Sequence, residues 1–278
     1  MKTLQKTAIS AVAVTLLAGL TTTVAFAADE PAAPEVSPIT ANVTVVSDYR
    51  YRGISQSNFK PAIQGGFDYA HESGFYIGNW NSSISWISDA ASAGGTKNVS
   101  APIEMDFYAG IKKELIGEGF ASDLGVLQYY YPTTGLPSSY TNPNTTEIYA
   151  AQNFTFGPVT GFAKFSYAVS NTFGFANSNG SYYPDLTANY DTGIWGLAVN
   201  AHVGYQYIAG QAVVKGVPTA NYTDWKLGLT KDFGGGLSLA AAYIGTNAAK
   251  TGSTYAYQSP SGKNLGGSTG IVSLTKTF

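Results

Sequence analysis

The chain has 278 residues, a formal net charge of −2, 12% charged residues, 32 glycines, 20 tyrosines and no cysteine. An ordinary soluble domain carries about 25% charged residues, so this composition argues against a helical soluble enzyme built on Leu, Glu and Lys, and its aromatic content argues against disorder. The missing cysteine removes disulfide scaffolds, thiolate metal sites and thiol catalysis, and the near-neutral charge gives nucleic acid nothing to hold.

Residues 1–27 read as a secretory signal peptide. Lys2 and Lys6 precede an apolar run over residues 8–20, and Ala25, Phe26 and Ala27 form a small-x-small cleavage site. That run is short of the roughly 20 residues a spanning helix needs. Residues 28–39 include Pro31, Pro34 and Pro38 and are expected as a short periplasmic lead-in. No composition break divides the remainder, so residues 40–278 are expected as a single domain.

From residue 40 onward the hydrophobic period is two, the period of a strand with one wet face. Over residues 41–53, Ala41, Val43, Val45, Tyr49 and Tyr51 alternate with Asn42, Thr44, Asp48, Arg50 and Arg52, with Val46 as the exception on the polar face. Over 63–69, Ile63, Phe67 and Tyr69 oppose Gln64 and Asp68. Over 76–86, Tyr76, Trp80, Ile84 and Trp86 are assigned to the apolar face against Asn79, Asn81, Ser83 and Ser85. Over 103–112, Ile103, Met105, Phe107 and Ile111 oppose Glu104, Asp106 and Lys112. Weaker alternation marks strands over 124–131, 147–154, 159–169 and 182–190. Trp195, Leu197, Val199, Ala201, Val203 and Tyr205 then oppose Asn200, His202 and Gln206, and Trp225, Leu227 and Leu229 oppose Asp224, Lys226 and Thr230. Segments 237–246 and 268–278 bring the count of predicted strands to twelve. Each is long enough for the roughly 9–11 tilted residues of a membrane crossing.

Short connections (71–74, 156–158, 191–193, 232–236, with 114–122 a little longer) take turns with long ones (54–61, 88–101, 132–146, 170–181, 208–221, 247–267). A meander with tight turns on one rim and loops on the other gives this rhythm. Aromatic residues close the apolar faces, as in the girdles of a lipid-facing wall. Phe278 ends the chain on the same face as Leu274 and Val272, with Lys276 interrupting that face. The expected fold is all-β: a transmembrane up-and-down antiparallel β-barrel with short periplasmic turns, longer extracellular loops, and first and last strands paired so that no edge meets lipid.

The run Asp48, Tyr49, Arg50, Tyr51, Arg52, Gly53, Ile54, Ser55, Gln56, followed by Pro61, Ala62, Ile63, Gln64, Gly65, Gly66, Phe67, Asp68, Tyr69, resembles the TorF family of proteobacterial porins. Ser73, Gly74, Phe75, Tyr76 leading to Gly78, Asn79, Trp80 fits it too, as do residues 222–228 and Ala242, Tyr243, Thr246 and Asn247. The resemblance covers essentially the whole chain after the signal peptide and implies an outer-membrane barrel with a channel role.

Function is expected on the lumen-facing set. Its pore-lining candidates are Asp48, Arg50, Arg52, Asp68, Glu104, Asp106, Lys112, Asp224 and Lys226, with Glu147, Lys164 and Asp185 on the same face. Charges inside a narrow, low-dielectric wall set ion selectivity, and Arg50 and Arg52 keep theirs at any pH. Mixed signs imply weak selectivity at most. The expected partners are outer-membrane lipid, the barrel assembly machinery during biogenesis, and small solutes, without nucleic acid. No cofactor, metal site or catalytic residue is expected. His202 with Asn200 is similar to the outer-membrane lipases, but it shares the polar face, whereas a lipid hydrolase needs its base outside. The competing class is a non-conducting, plugged barrel with a structural or surface-binding role.

Overall fold

The computed structural model describes residues 37–211 and 214–278. The expected signal peptide and most of the lead-in lie outside these residues. In chain order the elements are β1 (Ile39–Val46), a small hairpin of β2 (Arg50–Tyr51) and β3 (Ile54–Ser55), β4 (Ala62–Ala70), β5 (Phe75–Ser83), helix α1 (Trp86–Ala93), β6 (Ile103–Gly117), β7 (Phe120–Tyr130), β8 (Thr145–Phe156), β9 (Val159–Ala168), β10 (Tyr182–Asp191), β11 (Leu197–Gln206), β12 (Tyr222–Asp232), β13 (Leu237–Thr246), a second small hairpin of β14 (Lys250–Thr251) and β15 (Thr254–Tyr255), and β16 (Thr269–Thr277).

β1, β4 to β13 and β16 pair in sequence order into a closed antiparallel barrel. β1 completes the ring: Val45 stands opposite Ile63 of β4 on one edge and Leu274 of β16 on the other. The outer wall is apolar. Ile63 is 66% exposed and Leu227 61%, which suits hydrocarbon and not water. Tyr130, Tyr167, Tyr205 and Tyr243 are exposed toward the long-loop rim, and Phe75, Phe156, Tyr190 and Phe278 toward the short-turn rim. These form the two aromatic bands expected at the membrane interfaces.

The structure corrects the sequence reading at three places. The first strand does not run to Gly53: it stops at Val46, and residues 47–61 turn into the barrel. Tyr49, expected on the girdle, is therefore only 1% exposed. The faces of β5 are reversed, with Tyr76, Trp80 and Ser82 buried inside and Phe75 and Ile77 outside. The outward Asn79 and Asn81 are accommodated because each donates to a strand carbonyl, Asp106 O at 2.9 Å and Gly65 O at 3.4 Å, and Asn81 also donates to Asn79 Oδ1 at 2.6 Å. The register sets Asn79 between Phe67 and Phe107, which flank it on the outer face. Finally, the loop expected over 88–101 contains most of α1. Ile87 and Ala91 of that helix are buried, and Asp89 sits in its first turn, where the helix dipole favours a carboxylate.

Tyrosine rings lie over glycines of neighbouring strands inside the barrel. A Cβ on Gly78 would meet the Tyr108 ring, one on Gly125 the Tyr149 ring, and one on Gly204 the Tyr183 ring. The missing side chain is what lets each ring lie against the wall. Gly204→Val is expected to cost about 1–3 kcal/mol through overpacking. Gly270→Val, where nothing lies within 4 Å, is expected to be neutral. The temperature at which the folded barrel loses its faster mobility in detergent gels measures both.

Candidate functional site

The lumen is where this fold collects polar chemistry, and residues 47–61 shape its long-loop end. The β2–β3 hairpin turns at Arg52 and Gly53, with φ of 45° and 78°. Two consecutive left-handed residues make the tight turn whose twist matches a hairpin. A Cβ on Gly53 would collide with Thr246 and Asp224, so the tip lies against β12 and β13.

Two arginines hold this segment in different ways. Arg50 Nε donates to Asp48 Oδ2 at 2.6 Å, and Ser55 Oγ donates to Asp48 Oδ1 at 2.6 Å. Arg50 Nη1 donates to three carbonyls, Gly53 at 3.0 Å, Leu265 at 2.8 Å and Gly267 at 3.1 Å. Arg50 is thus an internal staple between the inward segment and the stretch before β16. Arg52 instead reaches the far wall. Its Nη2 donates to Glu147 Oε2 of β8 at 2.7 Å, and its Nη1 to Gln206 Oε1 of β11 at 2.6 Å. The guanidinium lies 4.1 Å from the Tyr183 ring centroid and 4.9 Å from that of Tyr51. Burial works against its charge, and Glu147, Tyr51 and Tyr129 more than reverse that, so Arg52 holds its proton more firmly than usual.

Below this latch the lumen has two unlike halves. On the side of β4 to β8, Tyr49, Tyr76, Trp80, Tyr108, Leu127, Tyr129, Tyr131 and Tyr149 pack into one buried cluster. Glu104 sits within it, accepting from Tyr49 Oη at 2.5 Å and Tyr131 Oη at 2.7 Å. Burial first, and Glu104 next, hold both phenols well above the usual range, so both stay donors. Asp106 is fully buried beside them, and both its carboxylate oxygens lack a protein partner. On the side of β9 to β12 the wall is charged. His202 lies between Asp224 at 2.8 Å and Asp185 at 3.1 Å, and Lys164 is 3.9 Å from Asp185. Lys226 stands opposite His202 in the register.

The pore-lining candidates therefore divide. Asp48, Arg50 and Arg52 lie on the inward segment and not on the wall. Asp68 does not meet either arginine; it accepts from Tyr108 Oη at 2.5 Å. Glu104, Asp106, Lys112, Asp224 and Lys226 are on inward faces of β6 and β12. Asp123, which the alternation did not single out, accepts from Tyr76 Oη at 2.7 Å and stands opposite Lys112. Its signal was available: it shares the parity of Tyr129, one of the buried tyrosines. Gln206 was placed on the polar face, but its role as a catch for Arg52 had no sequence signature.

The family model described as a bacterial protein of unknown function, Gcw_chp, matches residues 28–278. The chain belongs to the Gcw_chp family. No curated protein matches it in sequence. Among solved structures, this Gcw_chp barrel is similar to the NanC porin, with a TM-score of 0.53 at 8% identity, covering 86% of this chain and 98% of that one. It is also similar to the KdgM porin, with a TM-score of 0.50 at 7% identity, covering 86% of this chain and 99% of that one. At such identities the likeness is one of fold.

In this Gcw_chp member, Asp48→Ala leaves the Arg50 charge buried without its carboxylate. Removing one half of a buried pair costs about 3–5 kcal/mol. Hydrogen exchange is expected to quicken in residues 47–61 while the barrel strands stay protected, and mass spectrometry of the peptides measures both.

Proposed function

We propose that the chain is an outer-membrane porin-like channel for passive diffusion of small polar or ionic solutes, narrowed at its extracellular end by the inward hairpin. The TorF-like block at residues 48–69 agrees with this reading, as does the barrel fold shared with the NanC and KdgM porins. The observation that carries it is the way the hairpin is held at its tip. Arg52 crosses the lumen to polar groups of β8 and β11, so the narrowing is fastened at its tip by one ion pair and one further hydrogen bond and not by a continuous apolar core. Below it, the charged half from Lys164 through Asp185, His202 and Asp224 to Lys226 gives a hydrated solute a polar wall to follow. A narrow, low-dielectric lumen strengthens such fields. Both signs are present, which keeps ion selectivity weak.

The second reading is a plugged barrel with a structural or surface-binding role. It is favoured by the burial of the latch: the Arg52 and Glu147 side chains are 5% and 3% exposed. Conductance across a planar bilayer separates the two. The wild-type chain is expected to give small discrete steps, and Arg52→Ala to raise the single-channel conductance about two-fold or more, on the scale set by removing a charged constriction. Arg50→Ala should act through loosening of the segment and give noisier, flickering steps. Silence from both the wild type and Arg52→Ala, with folded barrels on a gel, sinks the channel reading and leaves the plugged barrel standing.

A further inference from the structure

Above the latch, α1, the inward segment and the loops after β9 and before β16 enclose a cavity of about 290 Å³. Aromatic side chains line much of it. Trp86 meets Tyr131 edge to face at 5.4 Å, and Phe175 meets Tyr257 in the same way at 6.3 Å. Tyr51 meets Phe173 edge to face at 5.5 Å. Trp86, Tyr131, Phe175, Tyr222 and Tyr257 give the lining aromatic surface for a ligand.

The polar groups between the rings are mostly neutral. Gln56 spends its amide N–H on the Ile54 carbonyl, at 2.9 Å, and keeps its side-chain oxygen. Asn58 and Gln258 line the cavity as well, each bearing a carboxamide. The Trp86 indole Nε1 is buried and has no hydrogen-bond partner, an unusual state for a buried donor. Among the described residues, Asp89 is the single charged residue in the lining. Arg52 is withdrawn behind Tyr51 and Phe173 and bound to Glu147, and Arg50 is bound to Asp48. An acidic solute would find no free cation among the described residues of the lining.

We propose that this vestibule is a binding site for a neutral saccharide. A sugar ring has a face of C–H groups that lies on an aromatic ring and an edge of hydroxyls that carboxamides and an indole N–H can bond. The cavity is at the small end of ligand sites, which start at about 300 Å³, so it suits a mono- or disaccharide. The assignment names a solute class for the channel reading above and in that respect rests on it.

Isothermal titration of the full mature chain in detergent micelles tests it, with maltose, digalacturonate and choline as probes. Maltose is expected to bind, and digalacturonate and choline to bind more weakly or not at all. Phe175→Ala should weaken maltose about tenfold, the loss that one aromatic contact commonly represents. Trp86→Phe, which keeps the packing and deletes the indole donor, should weaken it too, so the test survives if the alanine variant misfolds. Tighter binding of digalacturonate or choline overturns the assignment, as does maltose binding unchanged by both variants or no heat with any probe. Bilayer recordings keep the two readings apart. Maltose heat without conductance upholds the site and removes the channel. Conductance without maltose heat upholds the channel and removes the site.

Discussion

A bare strand edge cannot face hydrocarbon, because each unpaired N–H or C=O there costs several kcal/mol. The chain meets this by pairing β1 on both sides, with β4 along eight register positions and with β16 along five. Once the ring is closed, every side chain has one of two fates set by its parity: lipid or lumen. The low charge content follows, since half of each strand is committed to an apolar exterior and the remaining charges are concentrated within.

Inside, the closed ring creates a second problem, that of filling a lumen while satisfying its polar groups, which leaves the Asp106 oxygens without a protein partner. The two halves solve it differently. Tyrosine is the currency of the β4 to β8 side, because its ring fills volume and its hydroxyl satisfies a carboxylate, as with Tyr49 and Tyr131 on Glu104. The β9 to β12 side uses opposite charges, with His202 held between two aspartates. The latch joins the halves. A buried ion pair adds little net stability, because desolvation offsets most of its attraction. What Arg52 and Glu147 supply is position: they fix where the hairpin tip rests.

Most of the wall was legible in the sequence, because parity is a strong constraint wherever one face meets lipid. The inner charges Glu104, Asp106, Asp224 and Lys226 fall where alternation puts them. The failures have separate physical causes. Tyrosine and tryptophan suit an interfacial girdle and a packed lumen equally well, so Tyr49, Tyr76 and Trp80 were assigned to the wrong side. β5 inverted because its asparagines could be satisfied by neighbouring backbone, which hydropathy does not record. The break after Val46 is marked only by Val46 and Ser47, which fall on the wrong parity for one step before the alternation resumes in residues that no longer belong to the barrel. Arg52 and Glu147 are 95 positions apart, and no local pattern joins them.

The carbonyls that seat Arg50 belong to Leu265 and Gly267, 215 and 217 positions further along the chain. They immediately precede the strand that seals the ring. An incomplete barrel lacks two of the carbonyls on which its inward segment rests, so the first segment to leave the wall cannot be fully seated until the last strand is near. The mouth of this protein is in effect a record of completed assembly: a seated Arg50 means that the opposite end of the polypeptide has already arrived.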